Sequence, residues 1–283
     1  MYRYCFRLVL GGAKIGKYGL AEGFTFTSFK IAIQLLPLYN LSINLYVFVI
    51  KIAALWNAKA KKWLNGRHNW RATLSQKITT GDRIIWMHCS SAGEFEQGKP
   101  VIEKLKELYP DHKFLVTFFS PSGFEAARSY RYADIVTYLP IDTADNAKEF
   151  VAIVTPELAI FIKYDFWYHH FSALAFKQIP LLLVSAVFRR DQMFFKPWGK
   201  FYKQMLFLFR HIFVQDVPSM KLLKLYGVAH CSICGDTRFD RVIEIARAGT
   251  EIGGIEKFVG DMPLIVAGST WAGDEKMLQE LNG

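Results

Sequence analysis

From Gly81 onward, short β-rich runs alternate with helical stretches: Arg83–Cys89, Lys113–Phe118, Ile135–Tyr138, Leu158–Ile162, Leu181–Val184 and Ile212–Val214 each read as a strand. Strands alternating with helices predict an α/β fold built on a parallel sheet. Sheets of this kind take their ligands at the carboxyl ends of the strands. Glu94, the run Ser120-Pro121-Ser122-Gly123, Asp165 and Ser185 all fall at such ends, so one cleft edge is expected to collect them.

The sharpest local pattern is Trp86-Met87-His88-Cys89-Ser90-Ser91-Ala92-Gly93-Glu94, where an apolar run stops in small residues and one carboxylate. Apolar positions then resume at helical spacing from Phe95 through Val101, Leu105 and Leu108, which puts Glu94 at a strand-to-helix corner. Ser90, Ser91 and Gly93 suit a tight turn, and the free N–H groups of the helix end favour an ionised carboxylate there. An ionised carboxylate in a cleft can accept a proton. The same pattern equally suits a plain helix cap.

With 283 residues the chain exceeds one typical domain, and its net charge of +10 fits a nucleic acid, a membrane surface or an anionic substrate. Placement of the charge discriminates among these. Leu38 to Trp56 is an apolar run broken by Asn40, Asn44 and Lys51, close to the ~20 residues a spanning helix needs. Lys59, Lys61, Lys62, Arg67 and Arg71 follow, interleaved with Trp56, Trp63 and Trp70. That arrangement predicts a spanning or interfacial anchor on an anionic membrane surface, with the downstream domain cytoplasmic. Nucleic acid is not expected as a partner, because it would not explain the apolar helix. Cys5, Cys89, Cys231 and Cys234 are too few and scattered for a disulfide framework, and Cys231–Cys234 is half a zinc pattern with no second half, so no metal is expected.

The expected organisation is an extension of unassigned role over residues 1–36, an anchor and basic segment over 37–76, a parallel-sheet α/β domain over 77–235, a polar linker over 236–261, and the start of a further α/β unit over 262–283. In that last segment Pro263–Ala267 reads as a strand leading into Gly268-Ser269-Thr270 and a helix. One strand and one helix cannot bury their own faces, which implies a second domain cut short.

Taken in order, several of these landmarks resemble the Kdo transferase family, the 3-deoxy-D-manno-octulosonic acid transferases. They are the apolar segment, Trp86-Met87-His88 with Ser91-Ala92-Gly93-Glu94, Ser120-Pro121-Ser122-Gly123, and Pro156-Glu157 leading to Asp165-Phe166-Trp167. Gly235-Asp236-Thr237-Arg238-Phe239-Asp240 and Ala267-Gly268-Ser269-Thr270-Trp271 complete the series. The resemblance implies a GT-B glycosyltransferase, with a complete N-terminal Rossmann-like acceptor domain and a C-terminal Rossmann-like donor domain only begun in this sequence. It implies inverting transfer of Kdo from CMP-Kdo to the lipid A precursor lipid IVA at the inner membrane, with CMP-Kdo as a substrate and no cofactor.

On the same resemblance Glu94 is the general base, and Arg238 stands where the family carries a cation for the leaving phosphate. A salt bridge from Arg238 to Asp236 or Asp240 is the structural alternative. Gly268, Ser269 and Thr270 are expected to hold the donor, with simple N-capping as their alternative. Ser91, Gly93, Ser120, Ser122, Gly123, Arg189 and Arg190 are expected on the acceptor side. Two departures stand out: Lys163 replaces a family acid two positions before Asp165, and Ser185-Ala186-Val187 replaces Asn-Ala-Arg. Either the acidic function moves to Asp165, or Lys163 pairs with an acceptor phosphate; alternatively Arg189 and Arg190 supply the positive charge that the missing Arg would give. Phe166–Tyr168 reads as core or acceptor-edge packing, and His169 and His170, with no partner visible in sequence, read as surface or core residues. The rival readings are a GT-B transferase using another nucleotide sugar and a non-catalytic lipid-binding chain.

Overall fold

The computed structural model describes residues 26–249, 254–260 and 264–280. Two compact units divide at Val242, the first running to that residue and the second over Ile243–Gly283.

In the first unit seven strands form one wholly parallel sheet. They are β1 (Ile84–Cys89), β2 (Lys113–Phe118), β3 (Ile135–Tyr138), β4 (Leu158–Ile162), β5 (Leu181–Ala186), β6 (His211–Val214) and β7 (Cys231–Ile233). The spatial order is β3-β2-β1-β4-β5-β6-β7, so the winding direction reverses between β1 and β4. This is a Rossmann-like α/β domain, and a crevice for ligand opens outside the strands at such a reversal. β1 and β4 are buried along their whole length, because helices cover both faces, and they accordingly read as near-continuous apolar runs, with His88 the one polar residue in β1, rather than alternations. Trp86, Leu115, Phe161 and Phe171 pack on one face, and Met87, Phe95, Ile102 and Val116 on the other.

Six of the seven strands match the expected runs to within two residues at either end. β7 is the addition: three residues around cysteine and serine carry too little apolar signal to be seen without the sheet they join. In the segment read as a linker, Thr237–Ala248 is helical. The strand expected over Pro263–Ala267 does not form in the described part, where Leu264–Gly268 has no regular structure. Ile265 and Val266 are about four-fifths exposed there (78% and 81%), since a strand needs a partner ladder and the second unit offers none among the described residues.

Before the sheet come α1 (Phe26–Ala53), α2 (Ala58–Asn65) and α3 (Trp70–Lys77). The middle of α1 is docked on the domain. Tyr39 donates its hydroxyl hydrogen to the buried Asp142 at 2.5 Å, Asn40 meets His169 Nε2 at 2.7 Å, and the Tyr46 ring lies against Trp63 and Phe119. His169 and His170, without visible partners in sequence, are thus bonded: His170 Nδ1 is 2.5 Å from Asp142. The outward side of α1 keeps Leu38, Leu41, Leu45, Phe48 and Val49 more than half exposed.

Part of the basic segment turns inward rather than toward lipid. Arg67 is buried and donates to the carbonyls of Leu139, Trp63 and Phe119 at 2.7–3.0 Å. Its guanidinium also lies 3.9 Å from the Trp63 ring centroid, while Lys62 pairs with Glu125 and Arg71 with Glu149. Partners so remote in sequence cannot be inferred from a local charge cluster. Lys59, Lys61 and Trp56 remain exposed.

Candidate active site

β1 ends at Cys89, and Ser91 is the N-cap of α4 (Ala92–Leu108), so Glu94 sits in the first turn of α4 at the sheet's switch point. Its carboxylate accepts the Ser90 N–H and is 9% exposed. The expectation that the helix end keeps Glu94 ionised is reversed: burial, then the Asp165 carboxylate, push it up to about 7, outweighing the N–H groups of Ser90 and Ser91 and the Lys163 cation. A carboxyl that titrates near neutrality can both hold and release a proton at physiological pH, as general-base work requires.

β4 delivers the neighbouring charges. Lys163 follows its last residue in a left-handed backbone conformation, φ 65°, which a side chain with a Cβ adopts only at a cost of about 1–2 kcal/mol. Two residues on, Asp165 Oδ2 lies 2.9 Å from Nε2 of the wholly buried His88. Glu94, Lys163 and Asp165 therefore gather at the carboxyl ends of β1 and β4.

The loop after β2 makes the adjoining wall. Ser120 caps α5 (Pro121–Ala127), accepting the Gly123 N–H at 3.3 Å, and its own N–H donates to the Ser90 carbonyl at 2.8 Å. Ser122 Oγ is 3.0 Å from Ser120 Oγ. Gly123 is required for close approach: a Cβ there would meet the Phe118 ring at 2.4 Å and the Ser91 carbonyl carbon at 3.1 Å. At Gly93 a Cβ would meet nothing, so that glycine leaves space open before the helix end instead of relieving a clash.

Arg238 is tied to Asp236, as the structural alternative has it, through Nε at 2.9 Å and Nη2 at 2.6 Å. Asp236 also accepts from Gln97 Nε2 at 3.1 Å, one turn along α4 from Glu94. Ser185, left-handed at a bulge in β5 with φ 57°, meets Thr237 Oγ1 at 3.2 Å. The first turn of helix Thr237–Ala248, which carries Arg238, is thus fastened to the helix that carries Glu94 and to the strand edge beside it. Arg189 and Arg190 do not join this group. They line a groove of about 470 Å³ with Phe188, Val217 and Lys221 beyond β5 and β6.

Gly268, Ser269 and Thr270 belong to the second unit. Ser269 has φ 60°, and the Thr270 hydroxyl donates to Glu275 Oε1 at 3.1 Å at the head of helix Ala272–Glu280. Among the described residues no group of His, Cys, Asp and Glu is arranged to hold a metal ion.

His88, Thr117 and Gln97 received no role from sequence. The available signal was a single polar side chain inside apolar β1 and another inside β2, each of which must find a partner when buried.

Residues 65–241 match the family model described as 3-deoxy-D-manno-octulosonic-acid transferase (kdotransferase). A 3-deoxy-D-manno-octulosonic acid transferase of Aquifex aeolicus (strain VF5) is 28% identical over 195 residues, covering 69% of this chain and 48% of that protein. The enzyme of the same name from Rickettsia felis is 28% identical over 200 residues, covering 69% of this chain and 42% of its own. The chain spans about half the length of these relatives. Among solved structures, a UDP-N-acetylglucosamine 2-epimerase of Listeria monocytogenes superimposes with a TM-score of 0.49 at 15% identity, over 64% of this chain and 52% of that one. A family match that takes in the whole sheet, the Glu94 corner and Arg238 makes this chain a member of the 3-deoxy-D-manno-octulosonic-acid (Kdo) transferase family.

Proposed function

We propose that this chain serves the transfer of Kdo from CMP-Kdo to a lipid A precursor, lipid IVA, in a GT-B enzyme of lipopolysaccharide inner-core synthesis. The observation that carries the reading is Glu94, a buried carboxyl titrating near neutrality at the switch point of a Kdo-transferase domain. An alcohol is a weak nucleophile until its proton is removed. The Glu94 carboxylate takes that proton as the acceptor's hydroxyl oxygen attacks the anomeric carbon of Kdo. The bond from that carbon to the CMP phosphate oxygen breaks, CMP departs with the electron pair, and attack from the opposite side inverts the centre. Arg238, oriented by Asp236, offsets charge on the departing phosphate, and Gly268, Ser269 and Thr270 contribute to donor binding. Ser91, Gly93, Ser120, Ser122 and Gly123 form the acceptor side, Lys163 answers an acceptor phosphate, and Arg189 and Arg190 face the anionic lipid surface.

The membrane reading is an interfacial anchor on the cytoplasmic face of the inner membrane. Tyr39, Asn40 and Tyr46 are bonded to or stacked on the domain, so the middle of α1 stays on the protein, and neither flank of this 28-residue helix provides the ~20 residues a bilayer crossing needs.

The test is transfer of radiolabelled Kdo from CMP-Kdo to lipid IVA by this chain extended with the carboxy-terminal region of the Aquifex aeolicus relative, beside its Glu94→Ala variant. Transfer that falls about 10²–10⁴-fold in the variant is expected for loss of a general base. Transfer unaffected by the substitution would remove Glu94 from the chemistry, and no transfer by either protein would overturn the assignment of donor and acceptor.

A further inference from the structure

A four-residue hydrogen-bond chain runs through the interior of the sheet to the candidate site. Trp86 Nε1–H can only donate, and it donates to Thr117 Oγ1 at 2.8 Å. Thr117 Oγ1 lies 2.9 Å from His88 Nδ1, and His88 Nε2 lies 2.9 Å from Asp165 Oδ2. The carboxylate accepts, so Nε2 carries the ring proton; burial keeps His88 neutral, which leaves Nδ1 as acceptor of the Thr117 hydroxyl hydrogen. Every donor in the chain therefore points toward Asp165. Trp86, His88 and Thr117 are 0% exposed and lie on β1 and β2, whose register pairs His88 with Thr117. No rotamer change at this end of the chain is possible without leaving a buried polar atom unpaired.

The far end of the chain acts on Glu94 through charge, not through a hydrogen bond. Asp165 is held against His88, and the Glu94 carboxylate caps the N–H of Ser90, two residues beyond His88 on the same strand end. We propose that His88, fixed by Thr117 and Trp86, is a positioning residue that holds the Asp165 carboxylate at the carboxyl end of β4 as a fixed like charge toward the Glu94 corner. The charged and titratable groups around the pair are Lys163 from the end of β4 and Cys89 from β1. Around His88 they are Asp165, His170 on helix Tyr168–Phe176 and Arg67. Lys163 acts on Glu94 against Asp165, and the chain to His88 is what keeps Asp165 from turning away toward Lys163 or solvent.

The kinetic consequence rests on Glu94 being the base; the titration itself does not. The experiment is a ¹³C NMR titration of the Glu94 side-chain carboxyl in the chain labelled at glutamate, the signal being assigned by its loss in Glu94→Gln. The unsubstituted chain should titrate near pH 7. Asp165→Asn and His88→Leu should each move the midpoint down by about 1 unit or more, because a like charge has been removed or released. His88→Gln, whose Nε2 hydrogens can replace the ring's donor, should restore the midpoint. A midpoint unmoved in Asp165→Asn, or one that moves in His88→Gln as far as in Asp165→Asn, would overturn the proposal. Where His88→Leu loses its cooperative melt, those two variants decide. The acid limb of kcat/KM for Kdo transfer should shift with the carboxyl midpoint. Failure of transfer by the extended wild-type chain would overturn the assigned reaction and leave the titration result standing.

Discussion

A carboxylate in the first turn of a helix is ordinarily favoured by the helix N–H groups, yet Glu94 is raised from 4.5 to about 7 because burial and Asp165 outweigh them. The shift is also a statement about stability. A carboxyl whose folded value is raised contributes its full stability below its unfolded value, and loses it as pH rises through the folded one. Between about pH 4.5 and 7 the fold therefore gives up about 3 kcal/mol at this one position. Glu94→Gln keeps an oxygen for the Ser90 N–H and never ionises. It should be more stable than the wild type by about 2–3 kcal/mol at pH 8, with no difference at pH 4, as read from urea melts at the two pH values. Equal stability at pH 8 would mean that Glu94 is not raised. The position of Glu94 at a strand-to-helix corner was legible in Ser90 to Glu94 alone. Its titration was not, since the burial that chiefly raises it and the Asp165 carboxylate, three residues past the end of β4, come to it only when β4 pairs with β1.

Helices α2 and α3 show how a local charge pattern misleads at the scale of the element. Lys, Arg and Trp after an apolar helix read as a lipid-facing segment, but Arg67, in the turn between these two helices, donates to the Trp63 carbonyl of α2 and to the Leu139 and Phe119 carbonyls of the domain. Trp63 and Trp70, 5% and 4% exposed, fill the space beneath. Arg67→Met preserves the side chain's stem and removes all three donors. Each buried carbonyl left without a donor costs about 1–3 kcal/mol, partly recovered by relaxation, so a loss of about 3 kcal/mol in a urea melt is expected. A loss under about 1 kcal/mol would show that water replaces the guanidinium there. The strands were the more legible elements, because β1, β2 and β4 are buried on both faces over nearly all their length and spell that burial as apolar runs with few polar interruptions. Leu264–Val266 spells the same thing and forms no strand among the described residues, since an apolar run becomes a strand only where a sheet edge receives it.

At the scale of the molecule, the proposed membrane contact falls to the outward side of α1. α1 contains a 19-residue apolar stretch, Leu35–Ala53, only 6% of whose most apolar window is buried. Its docked residues, Tyr39, Asn40 and Tyr46, share one side, which leaves Leu41, Leu45 and Phe48 at 57–62% exposure on the side away from the domain. Exposed apolar surface of that extent costs solvation free energy in water, and the headgroup–acyl boundary of a membrane removes the cost. Exposed Lys59 and Lys61 follow just beyond the helix and add attraction to anionic lipid that salt screens. The two contributions separate by experiment. The triple variant Leu41→Glu, Leu45→Glu and Phe48→Glu changes side chains that project away from the domain, so its melt should match the wild type. Its flotation with vesicles of phosphatidylethanolamine and phosphatidylglycerol should nonetheless be lost. Raising salt to 1 M, where screening acts over only ~3 Å, should weaken wild-type flotation without abolishing it. A triple variant that still floats at low salt and is released by 1 M salt would make the basic residues the anchor and leave the outer face of α1 without a role at the membrane.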